Sequence, residues 1–309
     1  VDDTTSGNPT WFYDLQVLSG TSYLRGDRFW TFTTLDGAIS STTATSFDVA
    51  AGGTTNMVAG WYLQIGSELV RITSITDANT LVVERGALGT TAATASDGAN
   101  VSLNPFTRIE GTMTIDSGAF MEVQGSNGSY HCFVEFGTET TQGTLNNLGT
   151  FRFFAFGGGD DVGFGGVNSL YPCIFTGNDV DWDYDADMDG TPALILKNLD
   201  YQRALVTNTG TYLKLVGDCE FDAVTVSSGD TLAVGTHTMT ASGDLDGSGT
   251  VTVSTGNITT RDYLVNTTHT DASYIEGDFI GNTHTISAGK SPVINLSLIH
   301  ISEPTRQAE

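Results

Sequence analysis

Six aspartates alternate along one stretch of the chain: Asp179, Asp181, Asp183, Asp185, Asp187 and Asp189, followed by Gly190. Carboxylates are hard oxygen donors, and a run of them is suited to a cation such as calcium. In a strand all six would share one face, with same-face neighbours roughly 7 Å apart, and their repulsion would call for cations or water. In a loop, Asp185-x-Asp187-x-Asp189-Gly190 matches the first half of an EF-hand loop. The second half does not match. Leu196 stands where a bidentate Glu would be, and Pro192 disfavours a following helix. Asp185, Asp187 and Asp189 are therefore the candidate ligands of a calcium site outside the EF-hand type, with a solvated acidic stretch as the alternative reading.

The other constellations are weaker. Asp244-Leu245-Asp246-Gly247-Ser248-Gly249 also begins like a calcium loop, but Thr255 replaces the final Glu, and the surrounding T-V-T-V runs make a tight turn the better explanation. Asp218, Glu220 and Asp222 alternate. Two carboxylates on one face of a β-helix are what glycan cleavage by general acid and base requires, although a polar outer face explains them more simply. The five histidines are isolated. Cys132, Cys173 and Cys219 lie far apart without a C-x-x-C spacing, which argues for small buried apolar residues over a zinc site or a disulfide framework. No G-x-S-x-G elbow is present, and the glycines at 157–159 lack the lysine of a phosphate loop. Arg25-Gly26-Asp27 spells an adhesion tripeptide, a match short enough to arise by chance. No catalytic residue is assigned, no organic cofactor is expected, and the chain reads as a non-enzyme.

The elements that would carry these residues are strands. Residues 1–31 turn from polar to aromatic and read as an N-terminal strand or arm that packs on a neighbour. Residues 32–103 form a small β unit, with strands at Tyr62–Ile65, Glu68–Ile75 and Thr80–Glu84 separated by Gly66-Ser67 and Asp77-Ala78-Asn79 turns. From 104 to 295 whole phrases recur. Met113 to Val123 can be laid over Val224 to Val234, Val251 to Gly256 repeats the start of that phrase, and Asn147 to Phe153 resembles Asn208 to Leu215. A short alternating strand, a Gly or Asn turn and a further strand are what stacked rungs need. The predicted fold class is all-β, a small β module followed by a β-helix or solenoid-like body, with a β-sandwich as the alternative. Ile115, Val226, Val253 and Ile286 are the predicted inward positions.

Two stretches carry resemblances. Ile65-Gly66-Ser67-Glu68, the valine-rich strand after it, and Arg85-Gly86-Ala87-Leu88-Gly89-Thr90-Thr91-Ala92-Ala93 resemble a small β module found repeatedly in structural proteins of tailed bacteriophages. The match spans about Thr34 to Val101. Where that family often has a histidine after the alanines, Thr94 and Ala95 stand here. The resemblance implies a virion part without saying which. Separately, Leu296 to Arg306 resembles the translation of a transposon-end adapter used in sequencing libraries. Residues 296–309 are therefore expected to be an artefact of a metagenomic source, with the natural C-terminus missing.

The bulk numbers fit a displayed structural protein. Twelve basic against 36 acidic residues give a net charge of −24 in 309 residues. Such a chain is repelled by nucleic acid and by anionic membrane surfaces, and no apolar run reaches membrane-spanning length. The expectation is a non-enzymatic structural protein of a phage virion (tail, fibre or surface decoration). It would act as a homo-oligomer with other virion proteins, with host surface glycan as a further partner. The alternatives are an extracellular adhesin or filament subunit at the cell surface, and a tailspike glycan-cleaving enzyme.

Overall fold

Alternation of polar and apolar residues sets the local structure. In Thr112-Met113-Thr114-Ile115 and Thr250-Val251-Thr252-Val253 the apolar residues are buried and the threonines are not, which is the period-two signature of a half-buried strand. The computed structural model describes residues 10–25, 30–104, 106–124, 132–155, 161–184, 193–207, 212–263, 266–269, 274–279, 284–286 and 293–295. The candidate ligands Asp185, Asp187 and Asp189 lie outside these residues, as do Gly26-Asp27, the glycines at 157–159 and the tail from 296 on.

Most strands stack as the rungs of a parallel β-helix. Rung one is β1 (Thr10–Phe12), β2 (Leu15–Val17) and β3 (Gly20–Arg25). An antiparallel unit then intervenes: β4 (Trp30–Thr34), β5 (Ser46–Asp48), β6 (Tyr62–Ile65), β7 (Glu68–Ile75), β8 (Thr80–Glu84) and β9 (Asn100–Asn104). Rung two is β10 (Thr107–Ile109), β11 (Thr112–Ile115) and β12 (Ala119–Gln124). Rung three is β13 (Cys132–Phe136), β14 (Thr144–Asn147) and β15 (Thr150–Ala155). Rung four is β16 (Asp161–Gly166), β17 (Cys173–Gly177) and β18 (Val180–Tyr184). Two-strand rungs follow: β19 (Ala193–Lys197) with β20 (Leu199–Val206), then β21 (Tyr212–Leu215) with β22 (Cys219–Val226). Next come β23 (Thr231–Gly235), β24 (Thr238–Ala241) and β25 (Leu245–Gly247). The described rungs end with β26 (Thr250–Val253) and β27 (Asn257–Tyr263), β28 (Asn266–His269) and β29 (Tyr274–Phe279), and β30 (His284–Ile286) and β31 (Val293–Asn295).

The first face is a ten-stranded parallel sheet, β1-β10-β13-β16-β19-β21-β23-β26-β28-β30; the second is an eleven-stranded sheet, β2-β11-β14-β17-β20-β22-β24-β27-β29-β31 with β25 beside β22 and β27. The third face holds β3, β12, β15 and β18. Beyond rung four this sheet ends, and strands of the second face bend. β20 and β22 pair through Leu199–Tyr201 on the second face, shift register, and pair again from Ala204 to Val206; β22 then meets β25, which meets β27. All-β class and a β-helix body are thus seen directly, and the parallel pairing excludes the sandwich, whose sheets are antiparallel. Residues 10–25, expected as a strand or arm packing on a neighbour, are strands, and they form this chain's own first rung, paired in register with rung two.

Rung length sets what fills the interior. Val134 pairs with Phe164, 30 residues on; Leu213 pairs with Leu232, 19 on; Thr267 pairs with His284, 17 on. The long rungs enclose Phe151, Phe153, Phe164 and Phe175, continued by Tyr201 and Phe221, with the Phe153 and Phe164 rings stacked at 5.2 Å. The shorter rungs are filled by Leu232, Val234, Met239, Val251, Val253 and Ile258. Interiors must reach crystal-like density, so wide rungs take rings and narrow ones take aliphatic side chains. At one corner Gly177, with φ of 97°, passes so close to Asn147 that a Cβ would lie 2.1 Å from the Asn147 carbonyl oxygen.

Ile115, Val226 and Val253 are all buried and inward. They do not stack on one another. Ile115 and Val226 lie in strands of the eleven-stranded sheet, Val226 in the part of β22 that pairs with β25, and Val253 lies in the ten-stranded sheet. Ile286 lies in β30, and its side chain is outside the described residues. The recurring phrases are corners plus strands, so they can be overlaid from different faces.

Candidate functional site

The antiparallel unit, sheet order β4-β9-β6-β7-β8-β5, lies between β3 and β10 in the chain. Its strands Tyr62–Ile65, Glu68–Ile75 and Thr80–Glu84 have the bounds read from the sequence. The segment 38–49 holds β5, with isolated bridges from Leu35 to Val49 and from Ile39 to Ala95.

Glu68 and Arg85 form the centre of this unit. The Glu68 side chain is 2% exposed and that of Arg85 6%. Glu68 Oε1 accepts from Arg85 Nε at 2.7 Å and from the Gly86 amide at 2.9 Å; Oε2 accepts from Arg85 Nη2 at 2.7 Å and from the Ala93 amide at 2.9 Å. Arg85 also donates to the carbonyls of Ser41, Ala44 and Ala93. One bidentate pair therefore ties β7 to the glycine-rich turn, the alanine run and the 41–44 loop. Burial pushes the Glu68 carboxyl up, but Arg85 and the two amides outweigh it and hold the carboxyl below its usual range. Gly86 is left-handed, with φ of 63°, and a Cβ there would meet the Thr90 carbonyl oxygen at 2.8 Å. Thr90 Oγ1 closes the turn by accepting from the Leu69 amide at 3.0 Å. The motif residues noticed in the sequence thus meet as a single clamp.

The unit does not stand away from the solenoid. Its apolar core is continuous with Phe133, Ala193 and Ile195 on the outward side of the first face. Its turn at Ala87–Gly89 lies against β21, where Lys214 Nζ donates to the Gly89 carbonyl at 2.5 Å. This contact explains β7. Alternation suggested one inward and one outward row, yet Leu69, Val70, Arg71 and Ile72 are all buried, because the second row faces the solenoid.

A charged cluster sits in that junction. Glu135 of β13 is fully buried. It pairs with Arg108 of β10, accepts from the Tyr62 hydroxyl at 3.0 Å, and lies 3.7 Å from Lys197 Nζ of β19. Lys197 also donates to the Tyr62 hydroxyl at 3.3 Å. Arg71 Nη2 donates to Glu139 Oε1 at 2.5 Å. The Arg108 guanidinium stacks 4.9 Å from the Trp11 ring centroid and 5.3 Å from that of Phe106. Glu135, Gly165 and Lys197 are successive partners in the outward row of the first face. Gly165 leaves the row open between them, and the two long side chains meet across it. A Cβ on Gly165 would lie 1.8 Å from the Lys197 carbonyl oxygen. Burial raises the Tyr62 phenol to about 12, with Glu135 adding to the effect. Burial opposes the charge on Lys197, but Tyr62 and Glu135 more than offset it and hold the ammonium above its ordinary value.

Sequence reasoning did not find this cluster. Its signal was present: Cys132-Phe133-Val134-Glu135-Phe136 has one charge in a strand otherwise apolar on both faces, which marks a strand covered on both sides with a buried partner for the charge.

The acidic candidates are spread over separate places. Asp179 accepts from Arg203 Nε at 2.8 Å and from the Tyr201 hydroxyl at 3.2 Å, while Asp181 and Asp183 lie in β18. Asp218 accepts from the Thr238 amide at 2.8 Å. Glu220 is exposed beside Asp200 of the neighbouring strand. Asp244 pairs with Arg261, and Asp246 accepts from the Thr225 hydroxyl at 2.6 Å, so this turn is held by side-chain contacts. Among the described residues no group of three or more His, Cys, Asp or Glu side chains is arranged to hold a metal ion. Among the same residues no helix is long and apolar enough to cross a membrane.

No family model and no curated protein sequence matches the chain. Among solved structures, the Gp54 tailspike of Acinetobacter baumannii bacteriophage AP22, in complex with A. baumannii capsular saccharide, is similar over 96% of this chain and 72% of its own, at 13% identity and a TM-score of 0.26. Two chains at that score do not share one superposable structure, so the likeness says nothing about this chain's ligand.

Proposed function

We propose that this chain is a structural component of a tailed-phage virion, a tail, fibre or surface-decorating protein that works by assembly and contact and not by turnover. The observation that supports this most is the Glu68–Arg85 clamp. The residues that resemble a phage structural module are used internally, to build a rigid unit seated on the side of a β-helix. On this reading the protein acts as a homo-oligomer beside other virion proteins, and the outward rows of Thr, Asn and Asp face host surface glycan. Its charge of −24 keeps it off nucleic acid.

Density-gradient particles from the source sample test the reading. The tryptic peptide from Ile72 to Arg85 should band with capsid and tail proteins. Its recovery only from cell envelopes would overturn the assignment in favour of an adhesin. Purified protein should also release no oligosaccharide from capsular polysaccharides. Release that is lost in Glu220→Gln would instead make it a tailspike enzyme.

A further inference from the structure

The junction between the antiparallel unit and the solenoid has the construction of a latch. The unit has its own sheet and its own clamp, and its apolar core meets the solenoid at Phe133, Ala193 and Ile195. What joins them is an apolar patch around Phe133, Ala193 and Ile195 and the buried charge cluster. In that cluster the one fully buried carboxylate, Glu135, faces three cations from three strands: Arg71 of β7, Arg108 of β10 and Lys197 of β19. The other groups facing it are the neutral Tyr62 hydroxyl of β6, Glu139 and Glu84. Glu139 is paired to Arg71 with its side chain 61% exposed, and Glu84 of β8 is exposed and acts on Lys197.

We propose that Glu135 is the pin of an acid-released latch: when its charge is removed, the antiparallel unit separates from the first face of the solenoid while each part keeps its fold. With the charge present, Glu135 satisfies Arg108 and Tyr62 and lies beside Lys197. With the charge absent, Arg108 and Lys197 lose their buried counter-ion under the junction, while Arg71 keeps Glu139, whose side chain is 61% exposed, and Glu84 is exposed. Undocking lets water solvate Arg71 and Lys197. The cost falls on the junction because Arg71 and Tyr62 come from one side of it and Arg108, Glu135 and Lys197 from the other. Release bares Phe133, Ala193 and Ile195.

The direction with pH follows from the geometry. Burial pushes the Glu135 carboxyl up, but Lys197, Arg108 and Arg71 together bring it below its ordinary value. A group depressed in this way contributes fully above its unfolded value of about 4.3 and is lost as pH falls through the folded value. The latch therefore holds at neutral pH and opens only in acid.

Acid would also protonate Glu68, so the test is run at pH 7.5 with Glu135→Gln as the mimic of the released state. Lys197 is covered by the junction, and its modification by an amine-acylating reagent, read by mass spectrometry, reports undocking. In Glu135→Gln its acylation rate should rise at least about tenfold over the native protein, with far-UV circular dichroism unchanged. Glu139→Gln, altered at an exposed partner, should leave Lys197 protected. Continued protection of Lys197 in Glu135→Gln would overturn the proposal. So would loss of the circular dichroism signal, since the two parts would then not be separable.

Discussion

Replacing Glu68 by Gln should be among the most damaging isosteric changes available in the antiparallel unit. The two Glu68 oxygens accept four hydrogen bonds, two from the Arg85 guanidinium and two from the Gly86 and Ala93 amides. Gln can satisfy only one side. Its NH2 would face either Arg85 Nε with Gly86 N–H, or Arg85 Nη2 with Ala93 N–H, donor against donor. Arg85, with its side chain 6% exposed, would keep its charge without a counter-ion. Removing one member of a buried pair costs about 3–5 kcal/mol, a large part of the 5–15 kcal/mol that typically holds a domain. Urea denaturation of a variant with Trp11, Trp30 and Trp182 replaced by Phe, followed through Trp61, which is buried and packs edge-on to Phe32, reads this unit. The pH dependence gives an independent check. Because the Glu68 carboxyl is held below its usual range, its contribution is complete above about pH 4.3 and disappears as pH falls through its folded value. Glu68→Gln should lack that component and approach the native protein's stability in acid. A loss under about 1 kcal/mol at pH 7, or an unchanged acid slope, would show that the clamp does not organise the unit.

Other expectations are equally open to measurement. Gly165→Ala should cost about 1–3 kcal/mol or more, since its Cβ would overlap the Lys197 carbonyl; a neutral result by chemical denaturation would mean that β16 and β19 are freer to separate than their packing indicates. Cys173 and Cys219 should resist thiol reagents at pH 8 until the protein is unfolded. Burial pushes both thiols up, that of Cys219 to about 12, and rapid modification of the native protein would contradict the dry interior. If Asp185, Asp187 and Asp189 hold calcium, chelation should lower the melting temperature and Asp187→Ala should abolish that response; identical melting curves with and without chelator would remove the site.

The sequence by itself determined the class of structure, because period-two alternation in a chain rich in Thr, Ser and Gly leaves little besides strands. It also located β6, β7 and β8, whose turns are written in Gly66-Ser67 and Asp77-Ala78-Asn79. It picked out Ile65–Glu68 and Arg85–Ala93 as a linked signature without showing that Glu68 and Arg85 bond. The sequence could not determine register. Any inward valine resembles any other, so Ile115, Val226 and Val253 were correctly judged inward while the strands each would pair with stayed hidden. Nor could it assign the first rung, since nothing in residues 10–25 says whether their partner strand is this chain's or another's. Only the tertiary structure decided that the antiparallel unit folds back against β10, β13 and β19. That contact buries Arg71, Arg108 and Glu135 and largely covers Lys197, from strands far apart in the chain; the lone charge in Cys132–Phe136 marks a covered strand, but nothing along any one strand names the partners. Period two tells which way a side chain points, but what lies opposite it is set by long-range packing.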